Sequence, residues 1–543
     1  MDCKDLAELI FPDVKDASNY EEKYPKRDLK EGAEVVRVAP SPTGFVHIGG
    51  LFQGLVAKKI AEQTGGVFYV RIEDTDQKRK IENGTEEILN AFEEYDLSPD
   101  ETVGRGNYGP YVQSERGEIY RSYAKRLISE GKAYPCFCSP EELEVIRSNQ
   151  EKSKERTGYY GKWAKCRNMP VDMAYEKIKN GDPYIIRFKS PGNPDRKIKH
   201  KDIIKGNIDF PENDQDIVII KSDGLPTYHF AHAVDDHLMG TTIVTRSDEW
   251  VSSVPLHLQL FAVMGFKTPR YAHTAPLMKL DGDSKRKLSK RKDPEAAVSY
   301  YTEEGIPKEA VKEYMMNIAN SNFEIWRKQN PDKDMMKDFE FDLKKMGVSG
   351  ALFDMVKMLD VSKNVISKYS ADEVYDACLN WSERFDEELY KLLTENKEYA
   401  LKVLGIERGN VKPRKDIAKW SDCKNSIIYM FDDEFMNSKI DYEYQKITDK
   451  DEIDAIVKSY IEKHFDINDD KQTWFDKMKD LAEEFGYARE VKEYKANPEN
   501  YKGHVGDIST VIRVKLTGRS NTPDLYEIIQ VLGKDSVEKR ARM

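Results

Sequence analysis

The sequence predicts an α/β protein: a parallel sheet interrupted by an α+β insertion and followed by a region built of helices alone. Three observations carry this. A β-branched strand at residues 35–39 stops at a glycine-rich turn, and a helix and a second strand follow, which together make one right-handed parallel unit. The parallel pattern resumes from Asp216 to Arg246, after a stretch of different character. Past about residue 350 the strand pattern disappears and helical spacing takes over.

Residues 1–30 are polar and read as an extension before the first core strand. In the opening unit, Pro40 and Pro42 end strand pairing, while Gly44, Gly49 and Gly50 let backbone turn closely. Phe52, Leu55, Val56 and Ile60 fall at helical spacing, and Thr64-Gly65-Gly66 ends that helix before a strand at 67–72. A ligand belongs at the carboxyl end of the first strand. Tyr111 to Arg116 leads into a helix, and Cys136-Phe137-Cys138 then opens a long insertion in which 184–189 alternates like a strand. Residues 217–220 read as a buried strand resuming the parallel sheet, 222–224 as a turn, and Thr227 onward as a helix. The strand at 242–246 puts Arg246 at its carboxyl end, with Ser247 or Asp248 to cap the next helix. Leu352, Val356 and Leu359 share a helical face, and Thr522-Pro523-Asp524 to Gly533 is a capped helix with Leu525, Ile528, Ile529 and Leu532 inward.

At 543 residues the chain exceeds one core, and about three to five domains are expected. With 39% apolar and 34% charged residues and no long apolar run, no membrane association is expected. The amino terminus is charged and acidic, unlike a signal or transit peptide, so the expected location is the cytoplasm. Six cysteines give no disulfide framework, and Cys3, Cys378 and Cys423 read as isolated reduced thiols. A net charge of −11 excludes a uniformly basic nucleic-acid coat but leaves room for local basic patches.

The turn at 40–50 is neither a P-loop nor a dinucleotide fingerprint, because the required Gly and Lys spacings are missing. Taken alone, His47 could be an ordinary helix-start histidine and the glycines a helix cap. Pro40-Ser41-Pro42-Thr43-Gly44-x-x-His47-Ile48-Gly49-Gly50 resembles the adenylation signature of class I aminoacyl-tRNA synthetases, with Gly50 pointing to the glutamyl branch. Arg71-Ile72-Glu73-Asp74-Thr75-Asp76 reads equally as a solvated, capped turn; by resemblance, Glu73 lies near the amino acid.

The stretch from Asp223 to Asp236, with Tyr228-His229-Phe230-Ala231 and Val234-Asp235-Asp236, resembles the same family's second half. Arg37, Ser41, Glu73, Tyr228, His232 and Arg246 are thereby implied as glutamate-binding, with His232 standing where other members commonly have asparagine. A dicarboxylic amino acid needs both anionic ends neutralised, and guanidinium groups bind carboxylates bidentately. The bland alternative for Arg246 is an ion pair with Asp248 or Glu249. Residues 285–292 hold six basic residues in eight, which alone would be a solvated charge run. Lys287-Leu288-Ser289-Lys290-Arg291 resembles the family's mobile lysine loop.

The resemblance implies a class I synthetase Rossmann-like parallel sheet split by the insertion, then an all-helical anticodon-binding region. The expected divisions are 1–30 extension, 31–113 first catalytic half, 114–213 connective insertion for the acceptor stem, 214–270 second half, 271–350 lysine-loop and stem-contact domain, and 351–543 helical region. The implied substrates are L-glutamate, ATP with Mg2+ and tRNA(Glu), and the expected state is a monomer. The resemblance implies ATP binding by Gly44, His47, Gly49, Gly50, Lys287, Ser289 and Lys290, with His47, Lys287 and Lys290 catalytic. Attack by the glutamate α-carboxylate on the α-phosphorus needs no general base, since the carboxylate is already ionised. The resemblance also links glutamate activation to bound tRNA.

Some members bind a structural zinc with Cys-x-Cys and a later Cys-x-His. Here Cys136, Cys138 and Cys166 are present without the histidine, so Tyr159, Tyr160 or a water would complete four ligands, or the thiols carry no metal. Gly506-Asp507-Ile508, Arg513-Val514 and Leu516-Thr517-Gly518 resemble the family's terminal motif. A glutaminyl enzyme would carry a different loop before His47, a truncated tRNA-modifying relative would lack the helical half, and a noncatalytic paralogue would have lost His47 or Lys290.

Overall fold

A computed structural model describes every residue except Gln77, Lys80 and Lys290. It divides into two compact units, Met1–Tyr300 with Lys312–Asp354, and Tyr301–Val311 with Met355–Met543.

In the first unit, strand β1 (Val35–Val38) runs into the glycine turn, and the helix Ile48–Thr64 follows, ended by Gly65 in the left-handed region at φ 66°. Strand β2 (Val67–Val70) pairs parallel to β1, with Val35 opposite Val67 and Val38 opposite Val70. The expected stripe Phe52, Leu55, Val56 and Ile60 is buried. The insertion supplies β3 (Ala133–Cys136), β4 (Ile185–Phe188), a hairpin of β5 (Lys197–Asp202) and β6 (Gly206–Pro211), and β7 (Val218–Ile220).

Here the structure corrects the sequence reading. Strand β7 does not resume the parallel sheet; it pairs antiparallel with β4 in a sheet ordered β3-β4-β7. A buried apolar run has no alternation, and so carries no mark of which sheet it joins. The parallel sheet resumes with β8 (Ile243–Ser247) beside β1 and closes with β9 (Arg270–Thr274), giving the order β2-β1-β8-β9. Thus β9 carries the sheet past residue 270. A hairpin of β10 (Leu277–Asp281) and β11 (Ser284–Lys287) bears the lysine loop, and the short β12 (Ala351–Leu352) pairs with β10. Leu352 is therefore in a strand, and Val356 is 78% exposed. The helix Met355–Ile366 turns Met358, Val361 and Val365 inward instead.

The first thirty residues, read as a polar extension, hold two helices that pack into a core. Helices Cys3–Ile10 and Ala17–Lys23 bury Leu6, Ala7, Ile10, Ala17 and Tyr20 in the core that contains Tyr120, Tyr123 and Leu127 of the helix Gly117–Ser129. Burying a side chain the size of Leu6 or Ile10 contributes about 1.5–3 kcal/mol. The second unit is helical. In its core Cys378 and Cys423, read as isolated, are both fully buried and close enough for their thiols to share a hydrogen bond. The helix Leu525–Ala541 starts under an Asp524 cap, buries the expected four residues, and kinks at Gly533 rather than ending there. Among the described residues, no helix is long and apolar enough to cross a membrane.

What locks the first unit together is a buried ion network. Asp235 and Asp236, on the helix Tyr228–Leu238, face three arginines from the other half of the sheet. Asp236 takes Arg71 Nη1 at 2.7 Å and Arg37 Nη2 at 3.1 Å, while Asp235 takes Arg116 Nε at 2.6 Å and the Tyr120 hydroxyl at 2.8 Å. All five charged groups are at most 3% exposed. Burial alone would raise Asp236, but Arg37 and Arg71 hold it well below the usual carboxylate range. Removing one partner leaves the others charged and unpaired in a dry interior. Asp235→Ala is therefore expected to cost about 3–5 kcal/mol in urea unfolding of this unit; a loss within about 1 kcal/mol would show the network to be dispensable.

Candidate active site

The glycine turn is organised by its histidine. His47 is the N-cap of the helix Ile48–Thr64, and its Nδ1 accepts the Gly49 amide at 2.8 Å. The helix-cap reading and the catalytic reading are therefore compatible: an Nδ1 that accepts leaves the proton on Nε2. A Cβ on Gly49 would stand 3.0 Å from His47 Nδ1, whereas one on Gly50 would meet nothing within 4 Å. Gly49 thus makes room for the cap, and Gly50 keeps backbone bare toward open space. No acidic residue sits in the first turn, so the positive end of the helix is left for an anion.

That end opens on a cleft of about 660 Å³. His47, Gly49, Gly50, Lys287 and Ser289 line it together, and Phe52, Pro276, Leu277 and Leu288 give it apolar walls. Gly44, at φ 150°, shapes the preceding turn without lining the cleft. Lys287 ends β11 and forms an ion pair with Glu249 at the cleft. Lys290 lies outside the described residues. The basic run is anchored by a residue that sequence reasoning missed. Asp293, 3% exposed, accepts Arg286 through both oxygens, at 2.6 and 2.7 Å, and the Ser289 amide at 2.9 Å. Arg286 is consequently structural, and its charge is spent within the loop.

Ser247 and Thr274, at the ends of β8 and β9, also line the cleft. Arg246 is next to last on β8 and is 5% exposed. It does not pair with Asp248 or Glu249, which instead hold Lys205 and Lys287. Its Nε donates to His273 Nε2 at 3.0 Å, Nη1 to His257 Nδ1 at 3.1 Å and the Tyr228 hydroxyl at 3.3 Å, and Nη2 to the Trp250 carbonyl at 3.3 Å. Every one of these partners is neutral. Burial and the Arg246 charge push His229 down to about 4, burial also pushes His232 down to about 4, and His257 falls well below the usual range. Among the described residues, Arg246 is thus a buried cation with no carboxylate partner.

Arg37 is the opposite case, 3% exposed and already committed to Asp236. His232 is fully buried; Nδ1 lies 2.9 Å from Asp236 and Nε2 lies 3.0 Å from the Tyr271 hydroxyl, so both ring nitrogens are engaged behind the pocket. Tyr228 sits within electrostatic reach of Glu73, Arg246 and Arg37 together, and its ring lies 4.3 Å from that of Trp250. Glu73 is no solvated turn residue. Its side chain is 9% exposed, Arg71 and Gln113 both reach Oε1, at 3.2 and 3.5 Å, and burial pushes its carboxyl up. The neighbouring Asp74 is buried against the Ser114 amide and hydroxyl. Ser41 is exposed at the end of the β1 turn. His257, His273 and Trp250 carry no local motif and become neighbours of Arg246 only through the fold.

In the insertion, Cys136, Cys138 and Cys166 bring their sulfurs within 4.8 Å of one another. Cys138 and Cys166 are 3.7 Å apart, against about 3.8 Å for two thiolates on a tetrahedral zinc. The Tyr159 hydroxyl lies 3.4 Å from Cys136 and 3.3 Å from Cys138, while the Tyr160 hydroxyl bonds the Arg156 carbonyl. The donor set fits zinc with Tyr159, not Tyr160, beside it.

The family model described as tRNA synthetases class I (E and Q), catalytic domain, matches residues 34–359, and an anticodon binding domain matches 373–543. A glutamate–tRNA ligase of Clostridium perfringens strain 13 is 50% identical over 547 residues, 99% of this chain and 100% of the relative. One from Acetivibrio thermocellus is 49% identical over 546 residues, 99% of each chain. The crystal structure of a glutamate tRNA ligase from Elizabethkingia meningosepticum, in complex with its amino acid, matches with a TM-score of 0.73 at 27% identity, covering 94% of this chain and 98% of that one.

The neutral histidines fix a pH dependence. His229 and His232 titrate near 4 when folded and near 6.5 when unfolded, so the unfolded chain binds more protons between those values. Their contribution is full above about pH 6.5 and is lost as pH falls toward 4, by up to about 1.4 kcal/mol per unit per ring. Thermal melts from pH 7.5 to 4.5 are expected to show a falling Tm with a flatter slope in His229→Phe; an unchanged slope would assign the loss to other groups.

Proposed function

The chain belongs to the class I tRNA synthetases of the E and Q branch and is a glutamate–tRNA ligase, and we propose that its residues divide the reaction as follows. The carrying observation is Arg246, buried and surrounded by neutral partners. A buried cation without a counterion is costly, and a substrate carboxylate supplies what is missing. Arg246 receives the glutamate γ-carboxylate, helped by the Tyr228 hydroxyl. Glutamine, bearing no charge there, leaves the guanidinium unneutralised. Arg37 and His232 keep the pocket wall in place, Glu73 faces the ammonium group, and Ser41 lies at the mouth.

ATP enters as its Mg2+ complex, with base and ribose against Gly49, Gly50 and the apolar walls. Its phosphates lie between His47, on the helix end, and Lys287, Ser289 and Lys290, with Gly44 shaping the turn. The α-carboxylate attacks the α-phosphorus in line and pyrophosphate leaves. His47 donates Nε2–H and the lysines supply charge to the phosphorane, so catalysis is positioning and electrostatics. A ribose hydroxyl of the terminal tRNA adenosine then attacks the mixed anhydride, forming the ester and releasing AMP. The insertion would hold the acceptor stem and the helical region the anticodon, with activation dependent on tRNA. Zinc, bound by Cys136, Cys138, Cys166 and Tyr159, would pin β3 to the following loop.

ATP–pyrophosphate exchange in the presence of tRNA should proceed with glutamate and not glutamine. Arg246→Gln should lower kcat/KM for glutamate about 100-fold, and His47→Ala should lower kcat by about 100-fold with little change in the glutamate KM. Equal exchange with glutamine would overturn the role of Arg246. Purified protein should hold one zinc per chain by elemental analysis, and Cys138→Ser should lose it; a zinc-free wild type grown with the metal would refute the site.

A further inference from the structure

Arg246 is held from behind by a relay that begins in the insertion. Asp202, at the end of β5, is 1% exposed, and its Oδ2 lies 2.6 Å from His273 Nδ1. His273, fully buried on β9, turns Nε2 to Arg246 Nε at 3.0 Å. An arginine can only donate, so His273 Nε2 must accept. The ring proton is then on Nδ1, where Asp202 receives it. Asp202 is in turn fixed by the Ile204 and Lys205 amides, each 2.9 Å from Oδ1.

We propose that Asp202 and His273 are positioning residues for the substrate side chain: they lock the guanidinium of Arg246 so that Nη1 and Nη2 face the glutamate carboxylate. This rests on the assignment of that carboxylate to Arg246. Nε is consumed by the relay, and the contacts of Nη1 and Nη2 to Tyr228 and Trp250, both 3.3 Å, are the longest the arginine makes and the ones a carboxylate can share or replace. The anionic end of the relay also offsets the buried charge from one residue away, without occupying the face that binds substrate. The insertion thereby supplies part of the amino-acid pocket as well as a sheet of its own.

The chemistry suggests a discriminating set of variants. Asp202→Asn can turn an NH2 group toward His273, which disfavours the Nδ1–H tautomer and sets a proton against Arg246. His273→Leu removes the relay. His273→Gln can rebuild it, with the amide oxygen accepting from Arg246 and the amide nitrogen donating to Asp202. Steady-state aminoacylation should show the glutamate KM raised 10- to 100-fold in Asp202→Asn and His273→Leu, the ATP KM within twofold, and most of the loss recovered in His273→Gln. The double variant Asp202→Asn/His273→Leu should be no worse than the poorer single one. A wild-type glutamate KM in either single variant, equal rises in the KM for glutamate and ATP, or additive losses in the double variant would overturn the relay. If Asp202→Asn does not fold, the two His273 variants, which leave the Asp202 amide bonds intact, decide the question. A wild-type enzyme that fails to charge with glutamate would instead refute the functional assignment, whatever the variants do.

Discussion

The first unit depends on the meeting of Asp235 and Asp236 with Arg37, Arg71 and Arg116. These ion pairs cross from one half of the parallel sheet to the other in a dry interior, where a charge that loses its partner cannot turn to water. The network also sets the register of the site. Arg71 precedes Glu73 by two residues, Arg37 lies a few residues before the His47 turn, and Tyr228 begins the helix that carries both aspartates. Holding the ions in place therefore holds the pocket in place.

The site separates two kinds of buried arginine by what surrounds them. Arg37 is satisfied from within and behaves as framework. Arg246 is surrounded by neutral groups, and among the described residues no carboxylate pairs with it. The basic run divides by burial: Arg286 is held by the buried Asp293, while Lys287 stands at the cleft in an exposed pair with Glu249. A run of basic residues is thus part anchor and part instrument.

Legibility in the sequence followed the range of the interaction. The 40–50 turn and the lysine loop are short-range patterns, since a histidine cap, a bare glycine and a lysine on a hairpin act within a few residues of one another. Arg246 was legible as the last residue of a short β-branched strand, the end at which a parallel sheet keeps its ligands. Its neighbours His257 and His273, and Asp202 behind them, were not, because each is a lone polar residue until the sheet brings it across. Strand β7 was assigned to the wrong sheet because a buried apolar run fits either one. The amino-terminal helices were passed over because average polarity hides a sparse stripe such as Leu6 and Ile10. The stripe through Leu352 and Val356 failed for the converse reason: helical spacing within a few residues also occurs by chance where a strand ends and a helix begins.

The same ion network carries a consequence for biosynthesis. Arg71 and Asp236 are separated by 165 residues, and Arg37 and Asp236 by 199. At about 5–20 residues per second, the ribosome adds the intervening chain in roughly 8 to 40 seconds. Through that interval β1 and β2 exist without the helix that neutralises them, and their arginines must stay hydrated. The insertion made meanwhile has its own sheet and can order first. The middle of the chain can thus fold while the opening strands still wait for their counterions.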